Sequence, residues 1–223
     1  MDLIHSLGAF LVPIEWAFIF LPMLFHATMG FVIIANGMPN VGSYPYVGNV
    51  RYTLQRATGM IAFAFIIWHV IQLHWLGTPL GGGRFDHEFA SSSAATAIRS
   101  PLVTLLYAIG VLSAVFHFAN GLWTLGITWG LWTSPAAMRR ANALSVVVGV
   151  VLAAAGLGAL GGIWRLDENE ARKIETSMKE ERDFRERLRS GDAGPAPLRP
   201  RATATNAAAG PDVGAVRPST PEN

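Results

Sequence analysis

Apolar residues run almost without interruption through four stretches of this chain. Residues 3–50 hold a single charge, Glu15, and 57–83, 100–138 and 141–164 hold none. A transmembrane helix needs about 20 consecutive apolar residues, so the pattern predicts four spans. The first covers 9–35 and stops at Asn36-Gly37, with Pro39 beyond. The second covers 55–76 and stops at Gly77. Ser100-Pro101 opens the third, which runs to Trp132, and Ser134-Pro135 opens the fourth, which ends near Trp164; proline suits a first helical turn, where its missing N–H costs nothing. Loops are expected at 37–54 and 78–100. The small-residue run 156–162 suits close helix packing.

After 165 the pattern changes. Residues 165–189 carry eight basic and eight acidic side chains. The pairs Glu168–Arg172 and Glu181–Arg185 have the i,i+4 spacing that supports an exposed helix. Residues 191–223 are rich in Pro, Ala, Gly and Thr and are expected to be disordered. The expected fold class is all-α: a polytopic membrane helix bundle over 1–164, a charged helical segment over 165–190, and a tail.

Composition agrees with this division. The chain has 223 residues, of which 51% are hydrophobic and 14% charged, against roughly 25% charged in soluble domains. With no cysteine, it has no thiolate for an iron–sulfur cluster, a c-type haem attachment or thiol catalysis. The start has no basic segment and Asp2 comes at once, so a signal peptide is not expected. Arg51, Arg56, Arg139 and Arg140 fall at one end of the spans, which the positive-inside rule places in the cytoplasm. The tail then falls outside, and its own basic residues argue against that side.

Three of the spans carry histidines. Leu-Pro-Met-Leu-Phe-His-Ala-Thr-Met-Gly at 21–30 and Leu-Ser-Ala-Val-Phe-His-Phe-Ala-Asn-Gly at 112–121 each place a histidine, His26 or His117, four residues before a glycine, Gly30 or Gly121. Positions i and i+4 share a helix face, so each imidazole has a notch beside it. A third span carries His69. A buried imidazole in a membrane is costly and marks function more often than chance, and one imidazole on each side of an iron in an apolar slot is how b-type haem is held. His26 lies about 15 Å from the presumed inner end of its span, and His69 about 20 Å from Arg56, at the helical rise. The matching frames favour His26 and His117 as partners, which leaves His69 without one. His74 lies on the same helix near the surface; it is a quinone or propionate contact, or an interfacial residue. Glu15 is a quinone or proton-relay candidate, or an interfacial cap. Arg56 is a propionate partner or a positive-inside anchor. Trp123, Trp129, Trp132 and Trp164 are expected to be packing or interface residues.

These residues also carry a resemblance. Phe-Leu-Pro-Met-Leu-Phe-His-Ala-Thr-Met-Gly at 20–30, Leu-Gln-Arg-Ala-Thr-Gly at 54–59, Trp-His at 68–69 and Gly-Val-Leu-Ser-Ala-Val-Phe-His-Phe-Ala-Asn-Gly-Leu-Trp at 110–123 occur in order, followed by Thr-Trp-Gly at 128–130 and Ser-Pro at 134–135. The chain resembles the dihaem cytochrome b membrane anchor of succinate:quinone oxidoreductases, the succinate dehydrogenases and fumarate reductases, of the Bacillus type. The resemblance implies five spans, two haems and four axial histidines. It makes His26 and His117 the ligands of the haem nearer the dehydrogenase, and His69 one ligand of the outer haem. The remaining ligand belongs to a helix preceding the first span. Either the sequence begins after that helix, or the protein has one complete and one defective haem site; His5, in the connecting segment, is a poor replacement.

The implied partners are a flavoprotein subunit, an iron–sulfur subunit, lipid and quinone, menaquinone in this branch; no nucleic acid is expected. The implied role is non-catalytic electron transfer in the bacterial cytoplasmic membrane, with no catalytic residue in this chain. Three other functions stay open at the level of the residues: a haem-free anchor for the dehydrogenase, an unrelated haem b electron-transfer protein, and a small transporter. The near absence of charge within the spans argues against the last.

Overall fold

The computed structural model describes residues 8–76 and 85–191. Among them every regular element is helical, and four helices are long and apolar enough to cross a membrane. These are α1 (Leu11–Ala35), α2 (Val47–Val70, continued as a wider turn over Ile71–Leu76), α4 (Pro101–Thr128) and α5 (Pro135–Arg165). A short helix, α3 (Ala90–Ala97), lies in the loop between α2 and α4, and α6 covers Glu168–Ser190. Two compact units divide within α6: residues 1–175 and residues 176–223.

The boundaries follow from local chemistry. Pro22 has no N–H to donate, so the turn before it widens. The Leu21 N–H reaches back five residues to Trp16 O, and Trp16–Phe20 form a π turn. α4 ends at Gly130, whose φ of +68° is the left-handed conformation that glycine tolerates. Leu131 N–H then closes on Gly126 O and Gly130 N–H on Ile127 O. Trp132 folds back over Gly126, where a side chain has no room, and its indole N–H donates to Trp123 O. Ser134 caps α5 by accepting the Ala137 N–H at 3.2 Å.

One expected boundary is corrected. The second span begins at Val47, not near residue 55, so the loop before it is shorter than the expected 37–54. Arg51 lies inside the helix because two asparagines hold it: Nε donates to Asn120 Oδ1 and Nη1 to Asn142 Oδ1, each at 2.6 Å. The loop 78–100 likewise contains α3.

α4 is the centre of the bundle. In its most apolar stretch 28% of residues are buried, against 6% in α2 and α5 and none in α1. It packs against α2 and α5, and glycines bring the helices close: Gly149 and Gly156 of α5 meet Ala119 and Val111 of α4, and Gly110 of α4 meets Phe65 of α2. Gly158, Gly161 and Gly162 face open space, so only part of the small-residue run is used in packing. A core cluster joins Ile98, Val103, Tyr107 and Leu160, flanked by Phe65 and Trp68.

Glu175 ties the start of α6 to α3. Its carboxylate accepts the Ser91 N–H and the Ser92 hydroxyl, each at 2.6 Å, and so supplies the orphan donors at the α3 N-terminus. Burial pushes the carboxyl pKa up, but hydrogen bonds from Ser92 and Ser91 outweigh that and hold it below its ordinary value. Further along, Glu181 and Arg185 pair at 2.6 Å, whereas the Arg172 guanidinium lies over the Phe89 ring. Of the expected tail, 191–223, all but Gly191 lies outside the described residues.

Candidate functional site

α1, α2 and α4 converge on a largely apolar cavity of about 590 Å³, within the range of small-molecule and cofactor sites. His26 and His117 border it. His26 comes from α1 and His117 from α4, with ring centroids 6.0 Å apart and planes at 83°. Metal–imidazole bonds are about 2 Å long, so this is the scale of spacing at which two imidazoles share one metal atom.

A third helix sets the His117 ring. Its Nδ1 lies 3.0 Å from Gln55 O on α2. A carbonyl only accepts, so Nδ1 carries the proton and Nε2 keeps its lone pair. Metal-binding histidines are commonly oriented in this way. The close approach depends on Gly59, one turn beyond Gln55. A Cβ there would lie 2.8 Å from His117 Cε1 and 2.9 Å from Nδ1. The Gln55 side chain adds two further bonds, donating to His117 O at 3.1 Å and accepting from Asn120 Nδ2 at 2.7 Å. Asn120 in turn accepts from Arg51, whose guanidinium lies 4.0 Å over the Trp123 ring. A polar chain therefore runs from Arg51 through Asn120 and Gln55 to His117.

The other expected site residues divide. Gly30 borders the cavity and has open space where a side chain would stand. Gly121 does not border it and faces Gln55 Nε2. Arg56 borders the cavity with its guanidinium between Gly37 and the Tyr52 ring, 3.9 Å from the ring centroid. Trp16 and Phe20, in the π turn of α1, add to the wall beside Phe31 and Phe63. Glu15 is half-buried at the start of α1 and is not among the residues lining the cavity.

His69 lies elsewhere, in the packed region between α2 and α4. Its Nδ1 is 3.1 Å from the Tyr107 hydroxyl, which reaches Gln72 Oε1 at 3.4 Å. Gln72, 1% exposed, donates to Ala97 O at 3.2 Å. Phe65, Tyr107 and Trp68 surround this chain, and Phe65 lies over Gly110, where a side chain has no room. The His74 side chain and His5 lie outside what the structure describes.

The donor set fits a b-type haem on three counts. Two imidazoles lie 6.0 Å apart, an apolar cavity adjoins them, and Gly59 leaves room for the His117 ring where a Cβ would fill it. Among the described residues no group of three or more His, Cys, Asp or Glu side chains gathers; the imidazoles at this cavity are those of His26 and His117.

Gln55, Gly59 and Asn120 were not singled out in the sequence. Gln55 and Gly59 stand within the Leu-Gln-Arg-Ala-Thr-Gly word at 54–59, which was the available signal.

Residues 39–157 match the family described as "Succinate dehydrogenase/Fumarate reductase transmembrane subunit". The succinate dehydrogenase cytochrome b558 subunit of Bacillus subtilis (strain 168) is 34% identical over 151 residues, which are 68% of this chain and 72% of that protein. Comparison with solved structures found no match. The chain is a multi-pass membrane protein, and it belongs to the succinate dehydrogenase/fumarate reductase transmembrane-subunit family.

Proposed function

We propose that this chain relays electrons between the iron–sulfur subunit of a succinate dehydrogenase or fumarate reductase and a membrane quinone, through b-type haem held by His26 and His117. The observation that carries this is the close pair of imidazoles, 6.0 Å apart beside an apolar cavity. Haem with two axial imidazoles supplies a one-electron couple with no open iron position, which suits relay rather than oxygen chemistry.

The chain's own residues supply the setting. The Gln55 carbonyl holds the His117 proton on Nδ1 and aims Nε2. Phe31, Phe63 and the π-turn aromatics exclude water and keep the local dielectric low. Arg56, at the edge of the cavity, pairs with the acidic groups of the porphyrin. Gly30 and Gly121 accompany their histidines, Gly30 at the cavity itself. His69 would be one axial ligand of a second haem. Glu15 and His74 are the contacts offered to the quinone head group. Flavoprotein and iron–sulfur subunits dock on the cytoplasmic side, and this chain performs no succinate chemistry.

The test is reduction of the purified complex by succinate. B-type absorption bands that reduce with succinate and reoxidise with a menaquinone analogue are expected. A complex that carries flavin and iron–sulfur centres without b-type bands would instead make this chain a haem-free anchor.

A further inference from the structure

A second cavity, of about 710 Å³, lies between α2, α4 and α5 and shares no lining residue with the first. Its two ends differ in chemistry. Arg51, Asn120, Asn142 and Ser145 gather at one end, and Val146, Val150 and Ala153 continue along α5 as an apolar wall facing Leu112 and Phe116 of α4.

The polar end carries an uncompensated charge. Arg51 is fixed by the Asn120 and Asn142 side-chain oxygens and by the Trp123 ring face, all neutral groups. No carboxylate lines the cavity, and among the described residues none pairs with Arg51. Arg139 stands three residues before Asn142 on the same face of α5, exposed, and adds a second positive charge. A cation at the head of an apolar groove, with a second one turn from Asn142 on the same face of α5, calls for an anionic amphiphile. A neutral quinone head would leave both charges unanswered.

The length of the groove fits such a molecule. From Asn142 to Ala153 the helix rises about 16 Å, close to one leaflet of a hydrocarbon core about 30 Å thick. We infer that this cavity is a binding site for an anionic phospholipid. The phosphate rests on Arg51 and Arg139, and one acyl chain lies between α4 and α5 along Val146–Ala153. Basic pockets between membrane helices bind acidic head groups by this chemistry.

The test is the lipid retained by the full-length protein after extraction from membranes of mixed phosphatidylglycerol and phosphatidylcholine, quantified by mass spectrometry. Phosphatidylglycerol is expected to be enriched over its bulk share. Loss of a charge-assisted phosphate contact lowers retention by about tenfold or more, so Arg51→Gln should abolish the enrichment. Arg51→Gln also breaks the bonds to Asn120 and Asn142. Arg139→Gln and Val150→Trp touch neither, and should lower the enrichment by removing a charge and by blocking the groove. Retained lipid that mirrors the bulk, a quinone held in place of phospholipid, or unchanged enrichment in either of the last two variants overturns the assignment.

Discussion

The His117 imidazole is held by a backbone carbonyl of a neighbouring helix, with Nδ1 3.0 Å from Gln55 O. That contact exists because Gly59, four residues along α2, has no side chain. Gly59→Ala should therefore push the ring away from the carbonyl. The expected cost is about 1–3 kcal/mol, typical of overpacking, with a lower melting temperature and altered haem absorption. Gly30→Ala, where the space is open, should leave the melting temperature nearly unchanged. Equal effects of the two variants on stability would contradict this difference.

Asn120 joins two polar groups at once, accepting from Arg51 Nε and donating to Gln55 Oε1. It is 3% exposed. Asn120→Ala strands both partners, at about 1–3 kcal/mol for a buried unsatisfied group. Thermal melting checks the cost. A shift of the haem bands in the same variant checks that the chain from Arg51 reaches His117 through Gln55.

The Tyr107 hydroxyl lies between His69 Nδ1 and Gln72 Oε1. Tyr107→Phe keeps the ring packing on Phe65 and Trp68 and loses the hydroxyl contacts. The expected destabilisation is about 1 kcal/mol for a net hydrogen bond, with the His26–His117 site unaffected. A change confined to the haem held by that pair would contradict the separation of the two histidine sites.

Much of the bundle is legible in the sequence because charge is so sparse between residues 3 and 164. The closeness of His26 and His117 is legible too, since the two helices repeat one local frame. The glycine that makes room for His117 is not the one in its own frame. Gly121 faces Gln55 Nε2, and Gly59 does the work from α2. An i+4 rule describes one helix face, whereas the notch is made where two helices meet. The same limit hides the start of α2. Arg51 looks like an interfacial anchor until Asn120 and Asn142, distant in sequence, are seen to accept its hydrogen bonds. The role of Glu175 depends on the α3 N-terminus, which no helical periodicity in residues 90–97 announces.

The link between Glu175 and α3 should depend on pH. Its carboxyl pKa is lower in the folded protein than its ordinary value, so the stabilisation is present above the unfolded pKa and is lost as pH falls through the folded value. Solvent screening keeps the contribution below about 1 kcal/mol. Amide exchange of residues 90–97 should rise on acidification below the ordinary carboxylate range, relative to the intrinsic rate. In Glu175→Gln that pH-dependent excess should disappear.

Electron paramagnetic resonance of the purified complex, comparing the parent protein with His26→Ala and His117→Ala, tests the pairing most directly. If the two imidazoles share one iron, both variants lose the same low-spin haem signal and spare any other. Loss of different signals in the two variants, or survival of the full parent spectrum in either, would contradict a haem held between His26 and His117.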